Sequence, residues 1–315
     1  MKTPWYETAP GATAALLATR LFVDCDLYTF NLAGAIGGVA TLRYGAGPVD
    51  VSVLGTIWPA ATVTFDQDKA KAVAHWKTGL DTDTWQVVVA PRNVDPRTGA
   101  ADPDAIGTAP FLAALRAGAL DGAEVQVDRA FAASFPAPGK AMAPTGVVTI
   151  FYGRVAEIDL GRSQAVITVA SHLKLLAGQM PRRLYQASCI HTLFDAGCTL
   201  KAADFAVAGS VVAVSADGST VTATLAAPAG SGSYALGRMA MTSGASDGFA
   251  RSIRAYAAGT PATLTLIAPF ALGIAPGDAF TAWPGCDKII ATCGKFANQV
   301  NFGGEPNIPA PEVAF

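Results

Sequence analysis

Four of the five cysteines stand as two wide pairs, Cys189 with Cys198 and Cys286 with Cys293, and 87 residues lie between the second and the third. Thiolates bind iron and zinc far better than carboxylates do, so four thiols near one end of a cysteine-poor chain suggest one soft metal centre. Eight residues separate the first pair and six the second, wider than the roughly two to four of common zinc ribbons and fingers. A cubane iron–sulfur cluster needs one thiolate per iron and suits ligands from separate, rigidly packed loops. Spacing alone leaves three readings open: an iron–sulfur cluster, a zinc ion, or cysteines that are paired as disulfides or buried as free thiols. Cys25 falls in strand-like text and reads as a small buried apolar side chain.

The other reactive side chains form no constellation. His191 is too near Cys189 to crowd into the same ligand set, and reads as a residue that orients a neighbouring sulfur or backbone group. His75 and His172 stand alone, without a nucleophile beside them. Asp81 and Asp83 alternate in GLDTDTW but lack the dense oxygen pattern of a calcium loop, so a solvated turn is expected. Gly244, Ser246 and Gly248 formally match G-x-S-x-G, yet a nucleophile elbow needs a strand before it and a helix after it. Strand-like text flanks GASDG on both sides, which makes it an ordinary turn. No H-E-x-x-H and no phosphate-cradling glycine loop occur. An enzyme is not expected.

The elements that must position the cysteines are mostly strands. Short apolar runs at Leu27–Leu32, Ala40–Tyr44, Val51–Leu54 and Ala61–Phe65 alternate with Gly, Pro and Asp. WQVVVA, Trp85–Ala90, is a continuous run of the kind buried on both faces of a sheet. Further strands are expected at Ala123–Arg129, Gly146–Glu157 and Gln164–Ala170. Two short helices interrupt them, one within residues 8–23 and one at Pro110–Ala117, where a proline opens and Gly118 ends the element. Asp95–Asp104 and Phe135–Pro144 read as polar, Pro-rich loops.

Residues 203–280 change character to Ala, Ser, Gly and Thr with few charges. Val211–Ser215 and Thr220–Leu225 flank Asp217-Gly218, a hairpin signal because glycine supplies the positive φ such turns need. With Tyr234–Met241, Phe249–Tyr256 and Ala262–Ile267 these make a small barrel or sandwich. The expected organisation is therefore a β-rich region of two subdomains over 1–185, a cysteine-bearing region at 186–202 plus 281–315, and an inserted β-module over 203–280. Tyr234, Phe249, Tyr256 and Phe270 are candidates for stacking on sugars, although strand aromatics more often serve a core. The tail from Asn301 to Phe315 reads as extended and suited to lying along a neighbour.

Hydrophobic residues make up 51% of the 315 and charged ones 15%, too little charge to solvate a large free surface, which points to an assembly component. A net charge of −2 with mixed signs argues against a specific nucleic-acid site. The longest uncharged run, Ala255–Gly277, is broken by Pro261, Pro269 and Pro276, so no membrane segment is expected. The N-terminal residues show no apolar core leading to a cleavage site, and an odd number of cysteines suits a reducing compartment, so synthesis and assembly in a cytoplasm are expected.

CIHTLFDAGC and PGCDKIIATCGKFANQVNFGGEPNIP resemble the C-terminal region of a phage tail family that includes hub proteins of gene transfer agents and lies close to the lambda minor tail protein L group. HWKTGLDTDTWQVVV, FLAALRAGALDGAEVQVDRAF, FYGRVAEIDL and SHLKLLAGQMPRRLYQASC precede them in the family's order. The resemblance spans about residues 20–310 and is strongest after Arg182. It implies a mainly β, multidomain baseplate hub of barrels or sandwiches with few short helices and a small cysteine-ligated C-terminal domain. It further implies a structural, non-enzymatic protein of the virion tail tip, a homotrimer joining the distal tail protein to tip, fibre or megatron-like proteins and to the tape-measure protein. A 4Fe-4S cluster on Cys189, Cys198, Cys286 and Cys293 is also implied, as a structural staple. The alternatives are a carbohydrate- or receptor-binding tail-tip module and a redox-active iron–sulfur protein. The NFGG segment beside the second pair is expected to pack over the cluster, since glycine admits close backbone approach.

Overall fold

The computed structural model describes residues 3–36, 38–60, 64–65, 83–91, 105–107, 109–162, 164–177 and 185–307. His75, Asp81, the Asp95–Asp104 loop and the tail after residue 307 lie outside the described residues. The chain forms two compact units, Met1–Gly178 and Gln179–Phe315.

In the first unit the strands are β1 (Tyr6–Glu7), β2 (Val23–Ile36), β3 (Val39–Gly45), β4 (Val51–Val53), β5 (Thr56–Trp58), β6 (Thr64–Phe65) and β7 (Thr84–Ala90). They continue with β8 (Ala105–Ile106), β9 (Ala109–Pro110), β10 (Glu124–Ala132), β11 (Gly146–Leu160) and β12 (Ala165–Ser171), and two helices, α1 (Ala12–Ala18) and α2 (Phe111–Arg116), interrupt them. Eight strands make one antiparallel sheet in the order β3-β2-β10-β11-β12-β7-β6, with β1 added on β11. The pleat sends alternate side chains to opposite faces, and β12 follows it, with Ala165, Ile167 and Val169 buried.

β7 obeys the same rule, which corrects the expectation of a strand buried on both faces. Trp85, Val87 and Val89 are buried while Gln86 is exposed and Val88 is half-buried. A β-branched run thus served one face, and the outer valine is only partly covered. β10 breaks alternation at a bulge between Val127 and Asp128. There Asp128 is buried and accepts hydrogen bonds from Trp5 Nε1 (3.1 Å), Gln126 Nε2 (3.0 Å) and Thr149 Oγ1 (2.6 Å). A buried carboxylate needs such donors, and Trp5 among them fastens the N-terminal segment to the sheet. One strand position on, Arg129 pairs across to Asp26 with two bonds, 2.6 and 3.0 Å, the forked geometry a guanidinium favours.

Cys25 lies in a core cluster with Leu27, Val51, Trp58, Met142 and Val147. Burial first, then the neighbouring Asp26 and Asp24, pushes its thiol up to about 12, so it stays a neutral apolar group.

In the second unit the strands are β13 (Val207–Val214), β14 (Thr220–Leu225), β15 (Arg238–Met241), β16 (Ala250–Ala257), β17 (Ala262–Leu266) and β18 (Ala279–Trp283). They close a barrel in the order β13-β14-β17-β16-β15-β18, which leaves no free edge. Inward positions alternate along β17 as Ala262, Leu264 and Leu266, and Val221, Met239, Ile253 and Phe280 fill the same interior. The β13–β14 turn is held by Asp217, which accepts from the Ser215 and Ser219 hydroxyls and is thereby lowered to about 2. β18 carries the barrel past Phe280, where the change of composition had suggested its end.

Candidate metal centre

The barrel explains how cysteines far apart in sequence meet. Its first and last strands are neighbours, with Val207 opposite Ala282, so the chain enters and leaves at the same place. Cys198 comes shortly before that entry and Cys286 shortly after that exit. Trp283 Nε1 donates to the Ala202 carbonyl at 3.0 Å and ties the two strands' flanks together. Phe205 packs against Phe194 in a tilted arrangement and edge-on against Phe296, with ring centroids 5.7 and 5.4 Å away, so an apolar contact joins the segments that carry the two cysteine pairs.

Each thiol is then placed by local turn chemistry. In the first loop Asp195 accepts from the backbone N–H groups of Thr192 (2.8 Å), Gly197 (2.9 Å) and Cys198 (2.6 Å), an arrangement short acidic side chains offer in turns. Those bonds, that from Cys198 foremost, hold its carboxyl below the usual aspartate range. In the second segment Asp287 accepts from Ile289 N (3.0 Å) and Thr292 Oγ1 (2.9 Å), fixing the start of α3 (Ile290–Lys295), the helix that carries Cys293.

Cys189, Cys198, Cys286 and Cys293 line one pocket, whose remaining wall is largely apolar, with Leu193, Leu200, Ile289, Phe296 and Phe302. All four thiols are unpaired and partly buried. Three sulfurs face N–H groups: Cys189 Sγ receives Gly303 N (3.3 Å), Cys286 Sγ receives Lys288 N (3.4 Å), and Asn298 Nδ2 lies 3.6 Å from Cys198 Sγ. Burial raises the Cys286 and Cys293 thiols, and the neighbouring cysteines push the same way as like charges. Four bare thiolates would repel one another here; a cation among them would reverse that cost. The donor set and its N–H partners therefore fit a thiolate-bound metal group. Among the described residues, no three or more His, Cys, Asp or Glu side chains are grouped to hold a single metal ion.

NFGG sits beside the second pair in sequence, but in space Gly303 covers Cys189 of the first. A Cβ at Gly303 would come within 2.6 Å of the His191 ring, and one at Gly197 within 2.1 Å. Two glycines thus clamp His191, which stands 3.8 Å from Asp195 at its Nδ1. The supports Asp195 and Asn298 were not singled out from sequence; an Asp three residues before a cysteine is a turn signal that could have marked the first, whereas nothing local marks the second.

Other candidates fall elsewhere. His172 packs its ring 5.0 Å from Tyr152 in the first unit. Ser246 is buried and donates to the Gly273 carbonyl at 2.6 Å in the turn between β15 and β16, with no helix following. Tyr234, Phe249 and Phe270 are buried in the barrel unit, which leaves only Tyr256 of the four proposed sugar-stacking rings partly exposed. No helix of the described residues is long and apolar enough to cross a membrane.

The family model described as baseplate hub protein, N-terminal attachment domain, matches residues 10–201. A second, described as phage conserved hypothetical protein BR0599, matches residues 232–312. Among solved structures, a chain from the virion of a native gene transfer agent particle shares the fold. Its TM-score is 0.70 at 22% identity, covering 96% of this chain and 94% of that one. No curated protein matches.

Proposed function

The chain belongs to the family of phage baseplate hub proteins, components of the virion tail, and on that premise we propose that it is a structural hub of the tail tip stapled by a 4Fe-4S cluster. The observation that carries the reading is the convergence of four unpaired thiols on one pocket, met by N–H donors, in a chain of this family. Cys189, Cys198, Cys286 and Cys293 would hold the cluster, one thiolate per iron. A zinc ion needs four sulfurs at about 2.3 Å from one point. A cubane suits ligands brought in by separate, rigidly packed loops, and the wide spacing within each cysteine pair departs from the roughly two to four residues of common zinc sites, which favours iron–sulfur over zinc. When bound, the group supplies metal–thiolate links that stabilise the folded state, since the unfolded chain offers no preformed site.

The residues do the rest. Asp195 and Asp287 fix the two loops, Gly303 and Lys288 aim N–H groups at sulfur, and apolar side chains line much of the pocket. In the tail tip the protein would act as a trimer between the distal tail protein on one side and fibre, megatron-like or tape-measure proteins on the other. Exposed Leu21 (79%), Leu54 (78%) and Val300 (97%) are consistent with surfaces that neighbours cover in an assembly. The pocket is built of ligands and supports rather than an acid–base or nucleophilic set, so a structural role is favoured over catalysis.

Immunogold electron microscopy of virions carrying a tagged chain tests the placement. Label at the distal end of the tail is expected, and label on the capsid, or virions without the protein, would contradict it.

A further inference from the structure

We infer that Asn298 is the positioning residue that holds the two cysteine pairs in register and, through its amide N–H, tunes the centre they form. The inference rests on the iron–sulfur reading of the pocket. Asn298 is 7% exposed and touches both pairs. Its backbone N–H donates to the Cys293 carbonyl at 3.1 Å, and its own carbonyl oxygen lies 3.2 Å from Cys293 Sγ. Its side chain reaches across 100 residues of sequence, Nδ2 donating to the Cys198 carbonyl at 2.5 Å and lying 3.6 Å from Cys198 Sγ.

The amide cannot turn over without loss. Asn298 Oδ1 accepts from Asn301 Nδ2 at 2.7 Å, and Asn301 Nδ2 also donates to Thr199 Oγ1 at 2.9 Å. A flipped amide would set oxygen against the Cys198 carbonyl and nitrogen against the Asn301 nitrogen, leaving buried groups without partners. The N–H is therefore locked toward Cys198. N–H groups directed at cluster sulfurs favour the more negatively charged, reduced state and raise the reduction potential. The donors to Cys189 and Cys286 are backbone groups; the donor near Cys198 is a side chain, so substitution removes it while the chain path remains.

The test is a redox titration of the anaerobically purified full chain with dithionite, following the visible absorption and electron paramagnetic resonance of the centre, alongside iron and sulfide content. Asn298→Ala is expected to keep the wild-type iron content under anaerobic conditions, to titrate at a more negative potential, and to lose iron faster in air. Asn301→Ala, which leaves Asn298 in place but frees its amide, is expected to shift the potential in the same direction by less, and serves if Asn298→Ala does not fold. Iron-replete variants with the wild-type potential and air stability would overturn this inference alone. A wild-type chain without iron and sulfide would overturn it together with the cluster reading.

Discussion

Around the cysteines, single side chains do several jobs, and Asp195 shows how. Its carboxylate gathers three backbone N–H groups and thereby sets the direction of the loop that ends in Cys198. Because those bonds lower its folded pKa, its contribution is fully present above the ordinary aspartate range and is lost only as pH falls through the depressed value. Protection of the Gly197 and Cys198 amides from hydrogen exchange, taken relative to the free-amide rate at each pH, should accordingly persist through the ordinary aspartate range and fall only below it. Asp195→Ala should show low protection at those amides at every pH; equal protection in the variant would mean the turn is held by something else. Cys25 makes the contrast. It is as apolar in its setting as its neighbours, and its strand-like context was enough to separate it from the four ligands.

Among the elements, the decisive one is the seam between β13 and β18, because it brings the two cysteine segments to one place. Phe280 sits at that seam, 1% exposed, opposite Gly209. Phe280→Ala should cost about 3–5 kcal/mol of stability, the usual range for a buried phenylalanine, and should lower iron retention as well. Thermal unfolding and iron content per chain measure both; a destabilised variant that keeps its iron would uncouple barrel and site. Much of this level was readable beforehand. The Asp217-Gly218 hairpin and the strands near Thr220–Leu225 and Ala262–Ile267 carried alternation and turn residues, which are local signals. β18 was not readable, because AFTAW is short and runs directly into the cysteine segment with no turn residue before Pro284. The two-face reading of β7 failed because β-branched residues suit a strand however many of its faces are covered.

In the whole molecule, the four candidate cysteines are visible in the sequence but their meeting is not, because it depends on a barrel closing between them. Nor did the sequence reveal Asn298, whose partners lie 100 residues away and follow from the fold rather than from spacing. The resemblance carried by CIHTLFDAGC and the NFGG text pointed to the family, and the match over residues 10–201 establishes it. On the proposed reading, the cysteines of this hub would tie the flanks of an inserted barrel into one centre. Iron, acid-labile sulfide and zinc analysis of the chain purified without oxygen tests that claim most directly. About four irons and four sulfides per chain are predicted for a cubane bound by four thiolates. Zinc alone, or no metal in a chain that remains folded, would contradict it.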